Sequence, residues 1–260
     1  MVSLMNNQNK NIILLVEGQD DEVKLFKQII KHFPEINLSE DNIIVYNTDI
    51  WALNDALRNE FGEHWFSSDD IDFRQYLISI NSELKSKKVT DIFLVFDYER
   101  QDPRFDSKMI ENMQIFFNNS IENGQLYINY PMIEASRHFN TKDFPDNDFK
   151  TRKCIVSELK NYKKSVGKET KHQDVRKFDR IYLQQALIHN IKKLWFILGN
   201  DYNLSNEEIT NICNEINLID VLNKQNEASL SDEGFVYVLC TCFLFISNYN
   251  KHLIFDDMPC

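Results

Sequence analysis

Two apolar runs end in acidic side chains, and that is where this chain could do chemistry. Ile12-Ile13-Leu14-Leu15-Val16 leads into Glu17-Gly18-Gln19-Asp20-Asp21, and Ile92-Phe93-Leu94-Val95-Phe96 leads into Asp97-Tyr98-Glu99. A buried parallel strand reads as a continuous apolar run, and open α/β sheets bind ligands in the crevice beyond the carboxyl ends of such strands. Alternation along the second run places Asp97 and Glu99 on one side. Carboxylates gathered in one cleft raise each other's pKa unless a cation lies among them, and oxygen-only ligation suits Mg²⁺ or Mn²⁺. Glu17, Asp21, Asp97 and Glu99 are therefore the candidate metal ligands, with Glu134, after a further apolar run, as a fifth. Asp20 and Asp21 would also suit the first turn of a helix through its dipole alone. Asp102, just before Pro103, reads as a turn residue, and His138 is a lesser candidate.

The elements that would position these groups alternate in the first half. Strands are expected at Ile12–Val16, Ile43–Tyr46, Ile92–Phe96 and Leu126–Tyr130. Val23, Phe26, Ile29, Ile30 and Phe33 recur at helical spacing up to Pro34, as do Leu53, Leu57 and Phe61, then Phe73, Leu77, Ile80 and Leu84, then Met109, Met113, Phe116 and Phe117. Strands alternating with helices imply an α/β domain with a mainly parallel, four-stranded sheet flanked by helices. The second half reads as all-helical. Ile155, Leu159 and Tyr162 share one face, a long helix from about residue 175 closes at Gly199, Ser205 and Glu208 make a capping box, and Phe235 to Tyr249 is apolar enough for a core helix. The expected division is a catalytic domain over residues 1–145 and a helical domain for substrate or partner binding over 146–260.

The 260 residues carry a net charge of −11, which argues against nucleic acid as a partner until its distribution is considered. Between Lys150 and Lys193 there are thirteen lysines and arginines against four aspartates and glutamates. Arg152, Lys153, Lys163, Lys164, Lys168, Lys171, Arg176 and Lys177, with Tyr162 and Phe178 interleaved, could track a phosphate backbone, although lysine-rich solvated helix faces are nearly as good a reading. The five cysteines, Cys154, Cys213, Cys240, Cys242 and Cys260, lack zinc-site spacing and are expected to be free thiols. No window is apolar enough for a membrane span and the first ten residues lack a secretory apolar region, so a cytoplasmic protein with no membrane partner is expected. No phosphate-binding loop is present.

Val16-Glu17-Gly18 with a following aspartate, and an acidic pair ending a later strand, resemble the Toprim domain over roughly residues 10–135. That domain is shared by type IA and type II topoisomerases, primases of the bacterial type, small RNA-processing nucleases and the OLD (overcoming lysogenization defect) nucleases. Carried onto this chain, the motif's glutamate falls on Glu17, its glycine on Gly18, the aspartate of OLD-like members on Asp21, and its Asp-x-Asp on Asp97 and Glu99, the last longer by one methylene. With the segment Tyr130-Pro131-Met132-Ile133-Glu134-Ala135, the chain is also similar to Toprim effectors of bacterial abortive-infection systems, such as the PARIS nuclease subunit and RloB relatives. The resemblance implies a metal-dependent nuclease cutting RNA, tRNA included, or DNA, in an anti-phage defence system. It also implies a separate ABC- or AAA-type ATPase as partner and leaves room for a homodimer. Glu17 would bind metal or move a proton. Two other readings stand beside this one: a Toprim-like module without catalysis that binds nucleic acid or an ATPase, and a metal-dependent phosphatase or nucleotidyl transferase, since acidic strand ends serve those too.

Overall fold

A computed structural model describes residues 11–68, 70–139 and 147–258, with only the backbone of Asn147. The first apolar run forms β1 (Ile12–Val16), buried along its whole length, and the second forms β3 (Asp91–Asp97), buried likewise. They pair in parallel, Val16 opposite Val95, with β2 (Ile43–Val45) on the far side of β1 and β5 (Gly124–Asn129) on the far side of β3. The sheet order is β2-β1-β3-β5-β4, so the chain winds outward from β1 to β2 and then crosses back to β3. The loops after β1 and β3 therefore part in opposite directions, which opens a crevice between them.

The sheet has five strands where four are expected. The additional strand is β4 (Asn118–Asn119), a polar edge pair antiparallel to β5, too short for any apolar pattern to betray it. The helices α1 (Asp21–His32), α2 (Ile50–Phe61), α3 (Phe73–Ile80) and α4 (Ser107–Phe116) connect the strands. α3 is shorter than its apolar spacing suggests, because the Asn81 side chain caps a separate 3-10 turn at Ser82–Ser86.

The second half departs further from an all-helical reading. Following α5 (Asn147–Thr151), Lys153–Ile155 is a strand, β6, and Val156–Asn161 a 3-10 turn; Leu159 and Tyr162 are buried but Ile155 is exposed. β6 pairs antiparallel with β7 (Phe235–Tyr237), about eighty residues away in sequence. Between them lie α6 (Tyr162–Glu169), α7 (Arg180–Ile197), α8 (Asn206–Ile212), whose Ser205–Glu208 capping box is formed, and α9 (Leu218–Leu230). Gly199 follows α7 with a positive φ.

The expected helix over Phe235 to Tyr249 is instead β7, a bridge from Leu239 to Tyr130, and α10 (Leu244–Tyr249). The stretch between crosses the carboxyl end of β5, where Thr241 Oγ1 donates to the Ile128 carbonyl and the Asn190 side chain accepts from the Cys240 amide, so tertiary hydrogen bonds replace helical ones. Phe245 of α10 packs edge-on against Phe26 of α1 and Phe93 of β3, and the Tyr98 hydroxyl reaches Asn226 of α9 at 2.5 Å. Both halves thus share buried contacts, while the expected boundary at residue 145 lies outside the described residues. Cys154, Cys213, Cys240 and Cys242 are free thiols, and Cys260 also lies outside the described residues. Among the described residues no helix is long and apolar enough to cross a membrane.

Candidate metal centre

Glu17 follows β1 directly, its amide bonded to the Val95 carbonyl of β3 at 3.2 Å. Its side chain turns across the crevice, and Oε2 accepts the Asp97 amide at 3.0 Å. Asp97 is the last residue of β3; its Oδ1 accepts the Ile133 amide at 2.8 Å. Glu99 reaches the same place by a different route from strand alternation. β3 stops at Asp97, and Glu99 takes a left-handed conformation, φ 46°, with Oε2 accepting Gln101 Nε2 at 2.6 Å. Each of the three residues offers a ligand oxygen, all within 4.8 Å of one another.

Burial dominates the electrostatics. It pushes Glu17 up to about 8, helped by the charges of Glu99, Glu22 and Asp49 and opposed by the Asp97 amide. Glu99 rises to about 7 through burial and the neighbouring Asp49 and Asp102. Asp97, enclosed by the sheet and facing Glu17, Glu22, Glu134 and Glu99, lies well above the carboxylate range. Among the described residues no lysine or arginine forms an ion pair with any of the three. Arg104 is held by Asp49, Asp55 and Asp102, and Arg100 donates to Ser229 and stacks on Phe105.

The remaining candidates divide. Glu134, buried in the 3-10 turn Ile133–Arg137, lines the same cleft, but it is bound by Lys163 Nζ at 2.5 Å. Asp21 also lies on the cleft, turned to Arg137 at 3.0 Å. Asp20 is exposed and pairs with Lys24, and Asp102 is a turn acid bonded to Arg104. His138 is not on the cleft: its ring nitrogens meet Tyr162 and Glu169.

Two acids were not among the candidates. Glu22, one residue beyond Asp21, is buried over Gly18 in the cleft. Asp49 caps α2 and lines an adjoining hollow of about 510 Å³ with Glu17, Asn47 and Glu99. The available signal for Asp49 was topological, since in a parallel sheet the loop after β2 emerges at the same rim as those after β1 and β3.

The basic segment does not form one stripe. Lys153 lies over the Phe235 ring and near Glu233, Arg152 is partly buried and donates to the His138 carbonyl, and Arg176 is paired with Asp174. Lys164, Lys168, Lys171 and Lys177 are exposed, as is most of Lys163. Tyr162 and Phe178 are buried and so cannot offer rings for bases to stack on, which corrects the interleaved-aromatic expectation.

No family model, curated protein or solved structure matches this chain.

Proposed function

We propose that this protein is a divalent-metal-dependent phosphodiesterase acting on RNA or DNA through Glu17, Asp97 and Glu99. The observation that carries the reading is the convergence of these three carboxylates, with no ion-pair partner among the described residues, at the switch point of a mainly parallel sheet. The donor set fits a small hard ion: octahedral bonds of about 2.1 Å place ligand oxygens roughly 3–4 Å apart, and the three oxygens here lie within 4.8 Å of one another.

When bound, Mg²⁺ or Mn²⁺ supplies Lewis-acid stabilisation of charge on a phosphodiester oxygen. The chain's own groups do the rest. The Asp97 amide orients Glu17, the Ile133 amide orients Asp97, and Gly18, lacking a Cβ, leaves room for the Glu22 carboxylate beside them. Burial pushes Glu17 up to about 8 in the metal-free cleft, so the residue gives up its proton as the ion binds. A cytoplasmic defence setting with an ABC- or AAA-type ATPase partner is the context that the Toprim resemblance suggests for such an activity.

The test is incubation of the purified protein with single- and double-stranded RNA and DNA in Mg²⁺, in Mn²⁺ and in chelator. Cleavage is expected only with metal, and Glu17→Gln is expected to slow it by about 10² or more. Equal cleavage by that variant would overturn the assignment. No cleavage under any condition, with metal still bound, would favour a binding module.

A further inference from the structure

The cleft has two halves, and they differ in what balances their charge. On one side stand Glu17, Asp97 and Glu99, with no ion-pair partner among the described residues. On the other, Glu134 Oε1 meets Lys163 Nζ at 2.5 Å and Arg137 Nη2 at 3.6 Å, and the same Arg137 nitrogen meets Asp21 at 3.0 Å. Two protein cations already stand in the second half. A divalent ion there would face an ammonium group across a shared carboxylate oxygen, whereas in the first half the nearest cation, Arg104, is paired with Asp49, Asp55 and Asp102 rather than with the three ligands.

Glu22 supplies the independent observation. The residue is only 6% exposed and lines the cleft, its carboxylate lies 3.3 Å from the position a Cβ on Gly18 would take, and among the described residues it forms no ion pair. A carboxylate so enclosed needs a cation close by, and here the charge of Lys163 supplies it. Glu22 and Glu134 would therefore accept a further cation once the ammonium is gone.

Resting on the metal reading above, we propose that the cleft takes a single divalent ion, at Glu17, Asp97 and Glu99, and that Lys163 holds the place of a second. Lys163 belongs to α6, so the second half of the chain sets the metal stoichiometry of a site built on the first.

Counting bound Mn²⁺ by electron paramagnetic resonance, on wild type and variants that keep their melting temperature, tests this without an activity assay. Wild type is expected to bind one ion per chain, Lys163→Met two, and Lys164→Met, on the same helix and exposed, one. Lys163→Arg, which keeps the charge, is expected to remain at one. Two ions on the wild type would overturn the proposal while leaving the metal reading intact, and one ion on Lys163→Met would overturn the role of Lys163. No ion on the wild type would remove both.

Discussion

Glu17 is held in a place where its ionised form is disfavoured, and this links the site to stability. Its folded pKa of about 8, and that of Glu99 at about 7, exceed the ordinary 4.5, so between these values the native state binds more protons than the unfolded one. Stability is then fully present below about pH 4.5 and is lost as pH rises through 7 and 8. In chelator the melting temperature is expected to fall from pH 5.5 to pH 8. Added Mn²⁺ should raise it more at pH 8 than at pH 6, because the ligands must be deprotonated to bind. Glu17→Gln, which removes the partly buried charge, should raise the chelated melting temperature at pH 8 while slowing cleavage by about 10² or more. A chelated stability that stays flat or climbs over this range would show that the carboxylates are not buried as described.

The elements place these residues by a simple rule: parallel strands deliver their carboxyl ends to one rim. β1 and β3 bring Glu17 and Asp97 together, and the loop after β5 returns Ile133 to hold Asp97. β5 can lie against β3 only because it opens on a glycine. Gly124 has φ 118°, and a Cβ there would come within 2.6 Å of Leu94 Cδ1 and 3.3 Å of Ile92 Cγ2. Gly124→Ala combines backbone strain with overpacking and is expected to cost about 2–4 kcal/mol, read as a lower urea midpoint at unchanged slope. A loss below about 0.5 kcal/mol, the range of an ordinary surface substitution, would mean that the strand pair can shift to make room.

Across the whole molecule the helices of the second half are packed onto the sheet of the first. Phe245 touches both Phe26 and Phe93, Asn226 receives the Tyr98 hydroxyl, and Asn248 donates to the Tyr127 hydroxyl. Such contacts are expected to make the two halves unfold as one cooperative unit. Amides of β3 and α7 are expected to lose hydrogen-exchange protection at the same urea concentration, and Phe245→Ala should lower both by about 3–5 kcal/mol. Protection that persists in one element after the other has exchanged would assign the halves to separate domains.

The strands that carry the site were legible because burial on both faces demands an unbroken apolar run, and a carboxylate immediately after such a run must emerge at the sheet's rim. Local periodicity likewise revealed α1, α2, α4 and the capping box of α8. Pairings between distant segments leave no local trace, so β6 with β7 and the extended path from Tyr237 to Cys240 appeared only in the folded chain. The same holds for which acid of α1 faces the cleft. Neighbouring residues on a helix point about 100° apart, and only the docking of α1 turned Glu22 inward and left Asp21 to Arg137. Composition and spacing thus determined that acidic groups would gather at one end of a mainly parallel sheet; tertiary packing decided which of them are paired with a basic residue, because Lys163 and Arg137 reach the cleft from segments more than a hundred residues past Glu17.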